Sequence, residues 1–410
     1  MATLIAPPHP KGAIPYLFPR KWTIYDQSAI FTDLVEAKSA VLSLKAIPYQ
    51  RDWVERMQEM QLKMEVAGTS KIEGADFTDN ELDAALNPSA QASDLLTRSQ
   101  KQAHAAVQTY RWIAGLPDDL PITEGLIKDI HGRMVTECDD DHCGPGILRG
   151  HDQNVTFGLP RHRGADGGHQ CQKAFSALVS AINHEFKALD PILQAMALHY
   201  HFAAMHPFLD GNGRTARALE ALLLQRAGLR DTAFIAMSNY YYDEKSAYLS
   251  VLSEVRKKEH DLTPFFLFGL RGVRLQCERL YKEITTSVRK AVFRNMMFDL
   301  FLRLRSPRKR VIADRQIEVL KVLLFEKMLA PDLARRMDRF YGKLKNPTKA
   351  FVRDVNGLIH LGAVTVSQSG NRFMLEANLD WPEQMNESDF MEKVKSFPKA
   401  KSHAFLNFLA

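Results

Sequence analysis

His206-Pro-Phe-Leu-Asp-Gly-Asn-Gly-Arg-Thr-Ala-Arg217 joins two runs of helical pattern, 191–205 and 213–226, and its reading decides the fold. Pro191 suits the first turn of the helix before it, Leu219, Leu222 and Leu223 point the helix after it inward, and Gly228 is placed to cap that second helix. Gly211, Asn212 and Gly213 therefore stand where a helix begins. Two glycines let the backbone turn tightly. First-turn N–H groups have no partner inside a helix, so together with the helix dipole they make a cradle for an anion. Arg214 and Arg217 are three apart and share a face of that first turn; paired guanidiniums suit a polyphosphate. Asp210 precedes the cradle, and a lone carboxylate beside phosphates is a usual Mg²⁺ holder. His206 ends the earlier helix and has the pKa class to take a proton from a hydroxyl near neutral pH. Phe208 alternates with Asp210 and faces the core. Base, metal ligand, cradle and clamps fall within one short segment, the equipment of phosphoryl or nucleotidyl transfer.

Around this segment the chain reads as mainly α. Apolar residues at helical spacing cover 28–45, 49–67 (with a core stripe of Trp53, Met57, Met60 and Met64), 79–87, 93–114, 123–136 and 171–188. Asn87-Pro88 and Gly115-Leu-Pro117 are breaks. The stretch 138–170 is rich in Gly, Asp and His, with one strand-like piece, Val155-Thr-Phe157. Further helices are expected at 243–258, 263–282 and 285–304. Past a basic run at 303–310, helices at 314–329, 331–338 and 348–361 precede a hairpin of 363–366 and 372–375, the arrangement of a winged helix-turn-helix. The expected parts are an N-terminal helical region over 1–100, a catalytic core with closing helices over 101–305, the winged helix over 306–380 and a tail over 381–410.

Composition narrows the class. Hydrophobic residues at 45% and charged residues at 25% are ordinary for a soluble globular protein. No apolar run approaches a membrane span, and residues 1–19 lack the pattern of a secretory signal, so the expectation is a cytoplasmic protein without a membrane partner. Cys138, Cys143, Cys171 and Cys277 are too few for a disulfide framework. Cys138, His142 and Cys143, with Cys171 or His169, are zinc-binding residue types, but their spacing matches no common zinc pattern and a solvated turn is the preferred reading. A net charge of +6 and a pI near 9.0 tolerate a nucleic-acid partner without arguing for one.

His206 through Arg217 fills every fixed position of the HxFx(D/E)GNGRxxR pattern, and in this the chain resembles the Fic proteins. Ala197-Leu-His-Tyr200 and Ala218-Leu-Glu-Ala-Leu-Leu are similar to the family's two central helices, and Asp261-Leu-Thr-Pro264 to the segment that closes the Fic core. The resemblance covers residues 100–270. It implies a Fic-type helical bundle with a small β-hairpin flap, and a protein adenylyltransferase that moves AMP from Mg²⁺-ATP onto a Ser, Thr or Tyr hydroxyl. On that resemblance His206 is the base and Asp210 holds Mg²⁺. Asn212, with Gly211 and Gly213, binds the α- and β-phosphates; Arg214 contacts the same phosphates and Arg217 the γ-phosphate. Tyr248 is the best match to the aromatic residues that line the adenine pocket. Relatives with this motif also use UTP or another phosphate-linked donor.

Thr69-Ser-Lys-Ile-Glu73-Gly74 matches the family's (S/T)xxxE(G/N) inhibitory pattern, in the position of the class with an N-terminal inhibitory helix. Glu73 would pair with Arg217 in place of the γ-phosphate and so autoinhibit transfer; the resemblance also assigns this Glu a part in removing AMP. The plain alternative is a helix end capped by Gly74 with Glu73 in solvent. Arg149 through Asp166 takes the place of the flap, which in Fic proteins holds the target by strand addition. It lacks the usual Pro-Pro pair and carries Arg161-His-Arg163 with Gly164, Gly167 and Gly168 instead, a triplet read as a solvated loop in preference to a dock for an acidic target.

On the winged helix, Lys349, Arg353 and Asn356 are expected on an exposed face opposite Phe351, Val355 and Leu358, a face for DNA or for protein. The partners to weigh are a target protein with an acceptor hydroxyl, the chain itself as automodification substrate or homodimer partner, and DNA. The competing reading is a DNA-binding transcriptional regulator whose Fic portion is vestigial or senses nucleotide. An intact motif favours the enzyme.

Overall fold

The computed structural model describes residues 13–47, 51–75, 77–139, 141, 143–158, 160–229, 235–304, 307–370 and 372–397. They form two compact units that divide between Lys282 and Glu283.

The first unit opens with α1 (Gln27–Lys45), α2 (Arg51–Ile72), α3 (Asp79–Leu86), α4 (Arg98–Ala114) and α5 (Glu124–Val135). Asp26, Thr78, Thr97 and Thr123 start α1, α3, α4 and α5 by accepting otherwise orphaned first-turn N–H groups. A hairpin follows, β1 (Thr156–Phe157) antiparallel to β2 (His162–Arg163). Next come α6 (His169–Asn183), α7 (Pro191–Met205), α8 (Asn212–Leu224), α9 (Met237–Asp243), α10 (Lys245–Lys257) and α11 (Thr263–Leu302). α7 and α8 are the centre, buried on nearly every side, as helices without a polar face must be.

A polar layer crosses that centre. Glu220 accepts from His199 Nδ1–H (2.7 Å) and from the Tyr241 hydroxyl (2.6 Å), and His199 Nε2 accepts from the Tyr248 hydroxyl (2.8 Å). Each member is satisfied by another, so the layer fixes how the helices register.

α2 lies against α9. A Cβ at Gly68 would run into the backbone of Ser238, so only glycine allows this approach. Beside it the buried Glu65 carboxylate accepts from the Ser238 N–H (2.8 Å), the Ser238 hydroxyl and the Tyr110 hydroxyl (2.9 Å). The buried face of α2 is thus Gln61, Glu65 and Thr69; Met57, Met60 and Met64, expected as a core stripe, are half-buried. The side chain of Trp53 lies outside the described residues.

Some boundaries differ from expectation. α2 continues past 67 to Ile72. The helix expected over 243–258 follows a separate α9, because Tyr240 and Tyr241 pack inward instead of forming a loop. The two helices expected over 263–282 and 285–304 are one 40-residue helix, α11.

The second unit begins inside α11, where Phe293, Met297, Leu300 and Phe301 join its core. The basic run at 303–310 breaks a helix and does not separate the compact units, which divide earlier. α12 (Pro307–Phe325), β3 (Met328–Leu329), α13 (Ala330–Arg336), α14 (Asp338–Tyr341), α15 (Pro347–His360), β4 (Val364–Ser369), β5 (Arg372–Ala377), α16 (Trp381–Gln384) and α17 (Glu387–Lys395) follow. The strands lie in the order β3-β5-β4, antiparallel, with Val366 opposite Leu375. Residues 381–397 are no tail: Trp381, Met385, Phe390 and Val394 are core residues, carried there by α16 and α17.

α15 lacks the exposed face expected of it. Asn356 is fully buried, and Arg353 folds onto the buried carboxylate of Asp354 (2.7 Å), which also accepts from Arg315 (2.8 Å) and Tyr341 (3.2 Å). A Cβ at Gly357 would meet Gln316 and Phe397. Of the three residues expected to face DNA, Lys349 alone is fully exposed. Among the described residues, no helix is long and apolar enough to cross a membrane.

Candidate active site

α7 ends at His206, whose backbone is left-handed (φ 51°, ψ 65°), an uncommon conformation for a residue with a Cβ and one associated with functional sites. Its Nδ1 lies 2.7 Å from the Ala203 carbonyl. A carbonyl only accepts, so Nδ1 carries the proton and Nε2 keeps its lone pair. Phe157 of the flap stacks on the imidazole, with ring centroids 3.6 Å apart and planes within 7°. Burial pushes the imidazole pKa down to about 4, outweighing the lift from the Ala203 bond and the Glu73 charge. At neutral pH His206 is a neutral base.

The loop after His206 is closed by Asn212. Its Oδ1 accepts from the Phe208 N–H and its Nδ2 donates to the Phe208 carbonyl, both at 2.9 Å. Both polar ends are used and the residue is buried, so the side chain shapes the loop while its backbone N–H stands in the first turn of α8. Its task is to hold the turn. No side chain caps α8, which leaves first-turn backbone N–H groups as the donors of the cradle. Gly211 has φ 71°, and a Cβ there would sit 2.7 Å from Val135.

His131 of α5 braces the same loop, and nothing in its local sequence marks it. The Gly146 N–H donates to its Nδ1 (2.9 Å), so Nε2–H donates to the Asp210 carbonyl (3.0 Å), and the ring stacks on Phe208 at 3.7 Å. Burial pushes its pKa down to about 4 as well. The Asp210 carboxylate is half-exposed; Oδ1 accepts from the Gly211 N–H (2.6 Å) and Oδ2 lies 3.7 Å from Arg98. It is a single carboxylate, and among the described residues no group of three or more His, Cys, Asp or Glu side chains converges to hold a metal. His142 lies outside the described residues, while burial pushes the Cys138 and Cys143 thiols up to about 12 and about 11.

Arg214 and Arg217 are both buried but have different partners. Arg214 donates to the Met134 carbonyl (3.0 Å) and pairs with Asp139 at 2.6 Å; Asp139 also takes Nε of Arg98 (2.6 Å) and the Gln102 amide (2.9 Å). Asp139 is wholly buried, and although burial pushes its pKa up, Arg214 and the other donors hold the carboxyl below its usual range. Arg217 reaches the other way. Its Nε donates to the Thr69 hydroxyl (2.8 Å), and its Nη2 donates to the Thr69 carbonyl (3.1 Å) and the Glu73 carboxylate (2.5 Å).

Glu73 therefore does not sit free in solvent. A Cβ at Gly213 would collide with Glu73 Oε1, so this carboxylate rests directly over the first turn of α8. Burial pushes its pKa up, but Arg217 and Arg214 outweigh that, and the carboxyl stays below its usual range. Gly74, at φ 91°, ends α2 in a conformation that favours glycine. Tyr248 does not join the site openly. It is buried at 3% exposure, stacked on Tyr241 and bonded to His199, and the Arg217 guanidinium acts on its hydroxyl.

The flap is held from below by Arg149, which donates to the His206 carbonyl (2.8 Å), the Gln153 carbonyl (2.7 Å) and the Ala165 carbonyl. Gly164 packs so close that a Cβ would sit 2.8 Å from the Met205 carbonyl. The basic triplet is not one surface: Arg161 is exposed, His162 is buried, and Arg163 pairs with Asp166 (2.9 Å).

The Fic/DOC family profile matches residues 121–224, the span from just before α5 to the end of α8. The chain carries a Fic domain. A protein adenylyltransferase fic-1 from Caenorhabditis briggsae is 54% identical over 41 residues, 10% of this chain and 8% of the relative. A protein adenylyltransferase Fic from Drosophila willistoni is 37% identical over 90 residues, 21% of this chain and 16% of the relative. The matches thus span less than a fifth of these curated relatives. Among solved structures, a Fic-1 fragment from C. elegans aligns with a TM-score of 0.53 at 19% identity, covering 64% of this chain and 74% of that one. A Fic family protein from Desulfovibrio desulfuricans aligns with a TM-score of 0.51 at 17% identity, covering 85% and 96%. These two likenesses carry the fold. The profile span holds His206–Arg217, the flap and Asp139; Thr69, Glu73, Arg98 and Tyr248 reach the Fic domain from outside it.

Proposed function

We propose that this chain is a protein adenylyltransferase that transfers AMP from ATP to a hydroxyl side chain, held in check by Glu73. The observation that carries the reading is a carboxylate resting on the uncapped first turn of α8 and on Arg217, with an unprotonated Nε2 on His206 at the end of α7. An anion already lies where a cradle of backbone donors would hold one. In transfer, the acceptor oxygen attacks the α-phosphorus and gives its proton to His206 Nε2. The bond from that phosphorus to the α–β bridging oxygen breaks, and pyrophosphate leaves. Asp210 is the carboxylate suited to Mg²⁺, half-exposed with Oδ2 free of backbone bonds; the ion when bound neutralises phosphate charge. The residues themselves position and accept protons: His206 by its fixed tautomer, Asn212 by closing the loop, Arg217 by binding whichever anion occupies the cradle. With Glu73 on Arg217, the γ-phosphate loses its guanidinium and the triphosphate its alignment.

The test is incubation of the full chain, His206→Ala and Glu73→Gly with α-labelled ATP and Mg²⁺, followed by mass spectrometry of labelled protein. Label is expected on protein hydroxyls, rising at least about tenfold in Glu73→Gly and falling at least about a hundredfold in His206→Ala. Label that is absent from all three proteins, or indifferent to His206, overturns the transferase reading. Equal labelling of the wild type and Glu73→Gly overturns the brake.

A further inference from the structure

Next to His206 is a small recess, about 50 Å³ and open to solvent. Phe157, Ala203, Leu249 and Leu252 form its half-buried mouth, and Tyr200, Ala204 and His162 are its deeper walls. It shares two walls with the base. Phe157 is the ring stacked on the His206 imidazole, and Ala203 supplies the carbonyl that fixes the His206 tautomer. A group seated in the recess therefore lies within a residue or two of whatever hydroxyl meets Nε2.

The walls choose the chemistry of that group. Arg256, the charged residue in the lining, spends its donors on the carbonyls of Arg163, Ala204 (3.2 Å) and Pro15 (3.3 Å). Tyr200 is committed to His260 (2.7 Å). Three of the five Arg256 donors and the Tyr200 hydroxyl are thus spent inside the fold, and the remaining walls, mostly apolar, suit an apolar body. One polar atom is left over. His162 is buried at 7% exposure and its Nδ1 has no hydrogen-bond partner, which leaves it for the polar tip of an occupant.

The flap shows which way a bound segment runs. Ile14 already pairs with β2, its N–H on the Arg161 carbonyl and its carbonyl on the Arg163 N–H, both at 2.9 Å. β2 thus has Ile14 on one side and β1 on the other. Strand addition to the flap then uses β1, which ends at Phe157, on the rim of the recess. We propose that the recess is a specificity pocket for the target protein, taking an apolar side chain, aromatic or aliphatic, one or two residues from the acceptor hydroxyl. This rests on the transferase reading above and adds to it a rule for which hydroxyls are chosen.

The test uses the full chain carrying Glu73→Gly, with α-labelled ATP, Mg²⁺ and a peptide library that has a central Ser, Thr or Tyr and varied neighbours. Labelled peptides are sequenced by mass spectrometry. Leu, Ile, Met, Phe, Tyr and Trp should be enriched about tenfold at one fixed position within two residues of the labelled hydroxyl. Leu252→Asp, and separately Leu249→Asp at the mouth, should erase that enrichment in protein whose thermal unfolding is unchanged. Labelling without positional enrichment overturns the inference, as does enrichment that survives both substitutions. Labelling of the chain itself with no peptide labelled overturns it too. If no label transfers in a His206-dependent way, the transferase reading falls instead.

Discussion

The two sides of α8 hold the same kind of residue in different ways. On the α5 side, Arg214 is fastened to Asp139 and the Met134 carbonyl, both within the Fic domain and both sealed from water. On the α2 side, Arg217 is fastened to Thr69 and Glu73, which belong to a helix outside the family profile; the Glu73 side chain keeps 40% of its surface exposed. A buried pair costs heavily to break, because the surviving charge is left without water or partner, whereas a partner at the solvent edge can be exchanged. The difference teaches that one arginine is locked among buried partners while the other is held by a carboxylate at the solvent edge.

Breaking each pair in turn should expose that asymmetry. Asp139→Ala strands the buried Arg214 and should lower the unfolding free energy by about 3–5 kcal/mol, read by urea denaturation. Loss of less than 1 kcal/mol would place Arg214 with the exchangeable charges. Glu73→Ala should cost no more than about 1 kcal/mol, because its removal opens Arg217 to water while Thr69 still holds it. The same change should tighten ATP about tenfold by calorimetry, the scale of a charge-assisted hydrogen bond no longer contested.

Acidity sharpens the comparison further. On the α5 side, His131 has its pKa depressed from 6.5 to about 4, so its contribution is complete above 6.5 and lost as pH falls toward 4. On the α2 side, burial raises Glu65 from 4.5 to about 7, so its contribution is complete below 4.5 and lost as pH rises through 7. Hydrogen-exchange protection, corrected for intrinsic rates, should therefore fail first in α5 on acidification and first in α2 on going from pH 6 to 8. Parallel loss in both helices would show that these groups do not control them separately. The smallest effect is expected from Glu65→Gln, which keeps the bonds to Ser238 and Tyr110 without a charge to bury. It should leave protection of α2 at pH 6 within about twofold and remove its decline by pH 8.

The motif was legible because its chemistry is local: His206, Asp210, two glycines and two arginines must be close in sequence to meet at one helix start. The Thr69–Glu73 pattern was legible only through its resemblance to the family's inhibitory motif, because its contact with Arg217 joins residues far apart in sequence. That the Asn212 side chain closes the loop on Phe208 was not legible, since sequence cannot tell a side chain that binds a ligand from one that shapes the loop around it. Arg353 and Asn356 were misread for a similar reason. Helical periodicity marks the apolar face of α15 but not that Gln316 and Phe397 cover the face where Asn356 lies.

What this sequence determined by itself is the helical class and the start of α8, both set by spacing along the chain. Only the folded chain decided that Asp139 fixes Arg214, that His131 and Arg149 brace the loop and flap, and that Glu65 presses α2 into place. Each of these is a charge or polar group whose partner is distant in sequence. Burial makes such pairings obligatory, and tertiary packing alone selects the partner.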